Sequence, residues 1–182
     1  MMKKGLFLIA GMLMSGLTMV PAAHAQQPYA GVGIAAFDLD TGADRKLASG
    51  VFLRLGDDFS PYLGGELRLG TTDRASNGSR VNWFVGAYAK PKIDVSQDVT
   101  LYGLLGVTEM RADYTSRTTN QALHSTKANF SYGLGIEYWS TNQVTVNADW
   151  VRYASRADAA TKNTLFKGLT IDSYSFSAVY HF

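Results

Sequence analysis

The last nine residues of this chain alternate strictly between two kinds of side chain. Polar or small side chains separate aromatic or small apolar ones, which are Tyr174, Phe176, Ala178, Tyr180 and Phe182. Successive side chains of a β-strand point to opposite sides of the sheet, so a period of two predicts a strand with one apolar face. The end of the chain is therefore predicted to be a strand that finishes on an aromatic residue.

The beginning of the chain has the pattern of an export signal. Two lysines precede an apolar run over residues 5–20, which is followed by a proline and the small residues Ala23 and Ala25. This order is typical of a cleaved signal peptide. A membrane-spanning helix is a poorer fit, because it needs roughly 20 apolar residues. We expect residues 1–25 to be a signal peptide and residues 26–182 to form one mature domain.

Charge and cysteine content exclude several classes of function. The chain has 17 Lys and Arg against 15 Asp and Glu, and two of the lysines lie in the expected signal, which leaves 15 of each sign. A neutral mature domain lacks the basic surface of a nucleic-acid-binding protein. The chain has no cysteine, which excludes a disulfide framework and thiol chemistry.

Eight segments with strand-like alternation follow the expected signal. They cover about residues 28–37, 47–56, 62–71, 81–91, 99–111, 128–139, 144–154 and 169–182. Connections after the even-numbered segments are short, whereas the others are generally longer and reach residues 112–127 and 155–168. This arrangement predicts an all-β, eight-stranded antiparallel up-and-down transmembrane barrel with both termini at the short-turn side. A soluble lipocalin-like carrier has the same alternation with the faces reversed, so it is an alternative.

The two faces of the segments separate apolar from charged side chains. In the third segment Leu67 and Leu69 alternate with charged residues, and the second, sixth and seventh segments behave alike. The charged and polar set predicted to face the lumen is Arg54, Glu66, Arg68, Glu137 and Asp149. An eight-stranded barrel is only wide enough for its side chains to fill it, so we expect a salt-bridged plug, with a gated ion path as the alternative.

Two details of the lumen depend on strand register and parity. If the turn after the second segment is Phe59–Pro61, Arg54 lies directly opposite Glu66 and forms a cross-strand ion pair with it. In the fifth segment Glu109 and Arg111 share a face with leucines, so the alternation does not decide whether these two side chains face the lumen or the lipid.

Aromatic residues fall near both ends of the predicted strands. Those near the short-turn ends are Tyr62, Tyr102, Tyr138, Trp139 and Tyr180, and those near the long-loop ends are Trp83, Tyr114, Phe130, Trp150 and Tyr174. Two aromatic girdles are expected at the levels where lipid headgroups begin. The distribution favours a barrel in lipid.

Four stretches of the chain carry a family resemblance: Tyr29–Ala36, Tyr62–Gly70, Leu101–Gly106 and Phe130–Tyr138, with Met110–Asp113 beside the third. They resemble the strands of the eight-stranded OmpA-like transmembrane domain and of the related OmpX and Ail barrels. The resemblance implies a location in the bacterial outer membrane, with extracellular long loops and periplasmic termini. It also implies that the barrel-assembly machinery reads the aromatic residues of the last strand, Tyr174, Phe176, Tyr180 and Phe182.

Enzymatic activity is not expected. Barrels that deacylate lipid A, to which the family is related, place a His-x-Ser pair and a carboxylate on the lipid-facing wall. Here His124 is followed at once by Ser125, and both lie in a predicted loop. The other mature histidine, His181, is expected to be a polar tip at the rim. Two distant histidines give no metal-ligand spacing, and we expect no cofactor.

The outer loops are the predicted functional surface. Five basic residues there are candidate contacts for lipopolysaccharide phosphates: Arg117, Lys127, Arg156, Lys162 and Lys167. We expect a structural or surface-interaction role in adhesion or envelope integrity, with outer-membrane lipid, lipopolysaccharide and host or neighbouring-cell surfaces as partners. A narrow channel is the main alternative, and a lipid A-modifying enzyme is a further one.

Overall fold

A computed structural model of the protein describes residues 27–40, 45–73, 80–115, 122–154 and 170–182. Its regular elements in these ranges are the strands β1 (Gln27–Asp40), β2 (Arg45–Ser60), β3 (Leu63–Thr72), β4 (Arg80–Asp94), β5 (Val99–Thr115), β6 (Ala122–Trp139), β7 (Val144–Ala154) and β8 (Thr170–His181). In this described part of the chain, there is no helix with the length and apolar character needed to cross a membrane.

The strands form one closed antiparallel barrel in sequence order, and this confirms the predicted fold. Each strand pairs with the next, and β8 pairs with β1 through partners such as Tyr29 and His181. Beyond the last strand, the backbone N–H of Phe182 donates to the carbonyl oxygen of Pro28 at 3.0 Å. Closure leaves no free sheet edge, which is what a sheet needs in order to lie in lipid.

The two ends of the barrel carry different connections. One end of the barrel carries the turns at residues 61–62, 95–98 and 140–143, and the first and last described residues, 27 and 182, lie there as well. We call this the short-turn end. At the other, the long-loop end, the strands are joined by residues 41–44, 73–79, 116–121 and 155–169. The connection at 41–44 is as short as the turns, so only the later ones differ clearly in length.

Several strands continue beyond their predicted limits. Residues 57–60 and 92–94 are strand and not turn. Most of the predicted loop 112–127 is also strand, because β5 runs to Thr115 and β6 begins at Ala122. His124 and Ser125 therefore lie in β6, and their prediction as loop residues is wrong. Apolar alternation marks only the band of a strand that faces lipid, and backbone pairing can continue past that band without it.

Exposure follows the alternation of each strand. The outward residues include Leu67 on β3, Leu134 on β6 and Phe176 on β8, which are 39%, 67% and 63% exposed. On β5 the open question is answered, since Leu105 and Val107 are exposed and Glu109 and Arg111 share their outward side.

The interior of the barrel is divided into two layers. Toward the long-loop end, the rings of Phe37, Phe84 and Tyr153 pack together with centroid distances of 5.5 to 5.7 Å. Met110 and Ile171 are fully buried in the same cluster. The middle and the short-turn end are filled by charged and hydroxyl side chains, which form the candidate site described below.

Inward-facing aromatic rings lie over glycines of the neighbouring strand. Directly opposed pairs of this kind are Tyr29 with Gly56, Phe52 with Gly33, Phe84 with Gly70, and Tyr102 with Gly135. In each pair, a Cβ added to the glycine would collide with the facing ring. Glycine thus makes the space in which a narrow barrel holds large rings, as in the aromatic rescue of strand glycines.

Candidate functional site

Four charged side chains form a network across the middle of the lumen. Arg54 Nη2 lies 2.5 Å from Glu66 Oε2, and Arg68 Nε lies 2.6 Å from Glu66 Oε1. Arg68 also grips Asp149 with two parallel hydrogen bonds of 2.9 and 2.7 Å. The ring of contacts closes between Arg54 Nη1 and Asp149 Oδ2 at 3.7 Å. Two cations and two anions therefore neutralise one another in a site with almost no exposure.

Hydroxyl groups complete the hydrogen bonding of these charges. Tyr29 donates to Glu66 Oε2 at 2.7 Å, and Tyr102 donates to Asp149 Oδ2 at 2.8 Å. Ser175 donates to Asp149 at 2.6 Å, and the hydroxyl oxygen of Ser177 accepts from Arg54 Nη1 at 2.8 Å. A buried charge is tolerated when it is both paired and hydrogen-bonded, and this network meets both conditions.

A second ion pair lies closer to the short-turn end. Lys90 Nζ is 3.0 Å from Glu137 Oε2 and 4.8 Å from the ring centroids of both Tyr29 and Tyr102. The ammonium group therefore has one carboxylate and two aromatic faces as partners. Glu137 Oε1 and Asn147 Oδ1, on directly paired residues, have no hydrogen-bond partner among the described residues. This region, unlike the central network, therefore contains buried polar atoms without a hydrogen-bond partner among the described residues.

The predicted register of Arg54 is wrong, although its partner is Glu66. Arg54 lies opposite Arg68, and Glu66 lies opposite Gly56. The hairpin turn is at residues 61–62, not at Phe59–Pro61, and β2 contains an irregularity between Asp58 and Ser60. The register is therefore shifted by two residues, which keeps every side chain on its predicted face. Arg54 reaches Glu66 diagonally across the strand pair.

Three aromatic or imidazole side chains do not lie where the sequence suggested. Tyr102 faces the lumen and is 3% exposed, so its placement in a girdle is wrong. His181 is not a rim tip, because it is buried with Nε2 3.2 Å from Thr145 Oγ1. Trp139 is half-buried, and its ring centroid lies 4.5 Å from that of His181. In a narrow barrel, inward positions near the rim are still covered by neighbouring side chains.

Sequence reasoning missed Lys90 and the hydroxyl partners of the network. The signal was present in β4, where Lys90 shares parity with Phe84 and Tyr88 and alternates with the outward residues Ala87 and Ala89. A lysine on that face would have been predicted to enter the lumen.

The remaining predicted residues fall into two groups. Four side chains of the aromatic C-terminal set, Tyr174, Phe176, Tyr180 and Phe182, are exposed on the outward side. Of the basic loop residues, Arg117, Arg156, Lys162 and Lys167 lie outside the described residues, and Lys127 belongs to β6 with its side chain outside the described set. No group of acidic or histidine side chains in the described ranges could hold a metal ion.

Comparison with known proteins agrees with this architecture. Residues 8–182 match the family model described as the outer membrane protein beta-barrel domain. The chain belongs to this family. The structure agrees with this membership: apolar side chains cover the outer wall of the barrel, and other side chains fill its lumen. No curated protein sequence gives a significant match to the chain.

Solved structures show the same fold at low sequence identity. Neisserial surface protein A is similar with a TM-score of 0.70 and 15% identity, over 87% of this chain and 100% of that one. Ail, the attachment invasion locus protein of Yersinia pestis, solved with the heparin analogue sucrose octasulfate, has a TM-score of 0.62 and 18% identity over the same shares. The N-terminal barrel of Pseudomonas aeruginosa OprF has a TM-score of 0.58 and 12% identity, over 84% and 97%.

Proposed function

We propose that this protein is a non-conducting, non-enzymatic outer-membrane barrel with a structural or surface-interaction role. The observation that carries the proposal is the filling of the lumen. A neutral salt-bridge network occupies the middle, and the packed rings of Phe37, Phe84 and Tyr153 occupy the long-loop half. An ion would have to displace both layers in order to pass.

We infer the orientation of the barrel from the lengths of its connections. Outer-membrane barrels have short periplasmic turns and longer extracellular loops. The long-loop end would then be extracellular, and both termini would be periplasmic. The longest of these connections, residues 155–169, joins β7 to β8 and includes Arg156, Lys162 and Lys167.

The partners we propose are polyanionic. Ail has been solved with a heparin analogue, and the four basic residues that fall in the connections here, Arg117, Arg156, Lys162 and Lys167, favour a polyanionic ligand such as lipopolysaccharide or a sulfated sugar on another cell surface. Adhesion or envelope integrity is the role that such a surface would serve.

Planar-bilayer recording tests the filled lumen. We expect the wild-type protein to be nearly silent, whereas large and steady conductance would overturn the proposal. Glu66→Ala breaks the central network, and Phe37→Ala with Phe84→Ala thins the aromatic layer. If both layers act as barriers, frequent openings require the triple variant, and each partial variant gives only rare ones.

A narrow channel is the second candidate, because Glu137 Oε1 and Asn147 Oδ1 lack partners in the described lumen. Buried polar groups without partners are uncommon in proteins and indicate a place that water or an ion could enter. Frequent openings of the Glu66→Ala variant alone would promote this candidate over the structural one.

Location and orientation are tested in cells. The protein should be extracted only by detergent from the outer membrane, and protease added to intact cells should cleave within residues 155–169. Recovery as a soluble periplasmic protein would contradict the proposal. Mass spectra of lipid A should be the same with and without the protein, and a modified lipid A would indicate an enzyme.

A further inference from the structure

A charged row crosses the outward face of the barrel near the long-loop end. Tyr132 on β6 pairs with Arg152 on β7, which pairs with Asp172 on β8. Arg152 shares the outward parity of Val146, Ala148 and Trp150 on its own strand. The wall of β7 and β8 therefore changes from apolar to charged at this row.

The guanidinium of Arg152 is held in a defined position. Its Nε donates to Asp172 Oδ1 at 2.7 Å, and its Nη2 donates to Asp172 Oδ2 at 2.8 Å. Its Cζ lies 5.4 Å from the ring centroid of Trp150. Tyr132 packs edge-on against the same ring, with a centroid distance of 6.0 Å and an interplanar angle of 80°.

This geometry leaves part of the guanidinium available. The two bonds to Asp172 use two of the five N–H donors, and the hydroxyl of Tyr132 also interacts with the guanidinium. Donors therefore remain for a further acceptor. The side chain of Arg152 is 32% exposed, compared with 15% for Asp172, so the cation is the more accessible partner. The next residue along the row is Asp38, which is buried and has interactions of its own.

The neighbourhood has the composition of a lipid-headgroup level. Trp and Tyr are enriched where hydrocarbon gives way to headgroups, and this cluster contains Trp150 and Tyr132 beside the first charges of β7 and β8. An arginine stacked on tryptophan presents directed donors to a phosphate, and the aromatic rings offer flat apolar faces to a sugar.

We propose that Tyr132, Trp150, Arg152 and Asp172, the belt cluster, bind the phosphorylated sugar headgroup of lipid A. Arg152 donates to a lipid phosphate through the N–H groups that Asp172 and Tyr132 leave available, and the rings contact the sugar. Asp172 holds the guanidinium in place and also competes with the phosphate for it. The inference rests on the proposed orientation, which puts lipopolysaccharide beside this end of the barrel, and it assigns to the wall a contact distinct from the loops.

The two partners of the ion pair should have opposite effects on lipid binding. Native mass spectrometry of the refolded protein measures its binding of bisphosphorylated lipid A. Arg152→Gln should weaken this binding about tenfold, as expected for loss of a charge-assisted hydrogen bond to the phosphate. Asp172→Asn removes the competing carboxylate and should strengthen it. If Arg152 and Asp172 were merely a structural pair, both variants would leave lipid binding unchanged, and this outcome would overturn the proposal.

A charge-matched control is available on β5, two strands away from Arg152. Arg111 is exposed on the outward face of β5 at the same end, and Arg111→Gln removes the same charge from outside the belt cluster. It should change binding by less than about twofold, because isolated exposed charges are screened. An effect as large as that of Arg152→Gln would show that net charge matters and that the cluster does not.

Two further readouts separate the possible failures. Wild-type protein should bind bisphosphorylated lipid A more tightly than dephosphorylated lipid A, and equal binding would reject the phosphate contact. Heat-modifiable gel mobility reports folding of each variant in the same samples. If the wild-type protein folds in lipid but shows no phosphate preference, the belt cluster fails while the proposed barrel function stands. If it does not insert into membranes, the proposed function fails first.

Discussion

Arg54 and Glu66 form an ion pair with a 2.5 Å Nη2–Oε2 distance and no side-chain exposure, although they are not opposite one another in the sheet. Arg54 faces Arg68 across the β2–β3 pair. Like charges directly opposite are unfavourable, and here each guanidinium turns to Glu66 and Asp149 instead. The two carboxylates thus make it possible for two arginines to lie at the same level of the narrow lumen.

Breaking this pair should be costly. Arg54→Ala or Glu66→Ala leaves a buried charge with fewer partners, and each should lower the free energy of unfolding by about 3–5 kcal/mol. The double variant should lose less than the sum of the two, because the contact between Arg54 and Glu66 is already lost in either single variant and cannot be lost twice. Urea unfolding of protein refolded in lipid vesicles measures all four corners of the cycle.

A control pair gives the additive reference. Arg54→Ala combined with Leu134→Ala, on the outward face of β6, should add to within about 0.5 kcal/mol. Strict additivity of Arg54→Ala with Glu66→Ala as well would contradict the contact.

A single substitution to arginine tests whether the outward face of β3 contacts lipid. Leu67 is outward-facing on that strand, 39% exposed, and Leu67→Arg should destabilise the barrel by roughly 2–4 kcal/mol if it lies near the bilayer midplane. Leu63, the first residue of β3, is the matched control, because the penalty near an interface falls to about 0–1 kcal/mol. Equal, small effects of the two substitutions would mean that this face does not contact lipid.

Alternation was enough to predict which way most side chains point. In β3, Glu66 and Arg68 had to share a face opposite Leu67 and Leu69 whatever the turn, because only an odd shift in register moves a strand's residues to the other face. The actual shift was two residues, so the predicted lumen residues kept their side while the opposed partner changed. Turn position is a local property that the alternation does not encode.

The aromatic half of the lumen could not be predicted in the same way. Phe37 and Phe84 lie on the inward face, whereas the charged residues of the lumen predict a salt-bridged plug, and the position of Tyr102 in the sequence predicts a girdle residue. A buried tyrosine and an interfacial tyrosine look alike in a sequence. What separates them is the glycine opposite Tyr102, Gly135, and this pairing depends on knowing the register of β5 with β6.

Gly135 provides a direct test of this packing. A Cβ at Gly135 would collide with the ring of Tyr102, whose hydroxyl donates to Asp149 at 2.8 Å. Gly135→Ala should therefore cost roughly 1–3 kcal/mol, the range for overpacking a filled core. Gly103 is the control, since the nearest atom to a Cβ there is Pro91 Cγ at 3.3 Å. If Gly103→Ala is as destabilising as Gly135→Ala in urea unfolding, loss of glycine itself and not the ring contact is responsible.

The terminal residue should matter for assembly more than for stability. Phe182 is 72% exposed, its ring centroid lies 5.2 Å from that of Tyr180, and its backbone contributes one hydrogen bond to Pro28. Deleting it should lower the free energy of unfolding of the refolded barrel by only about 0.5–1.5 kcal/mol, the net contribution of one hydrogen bond.

In cells, by contrast, we expect the deletion to reduce the amount of protein in the outer membrane several-fold, because the assembly machinery is predicted to read the terminal aromatic strand. Tyr62→Ser is the matched control, since Tyr62 is equally exposed at 72% and lies in a turn at the same end of the barrel. Immunoblots of outer-membrane fractions compare the two variants with wild type. A normal level of the Phe182 deletion would reject the assembly role, and an equal loss with Tyr62→Ser would attribute the defect to any lost interfacial aromatic residue.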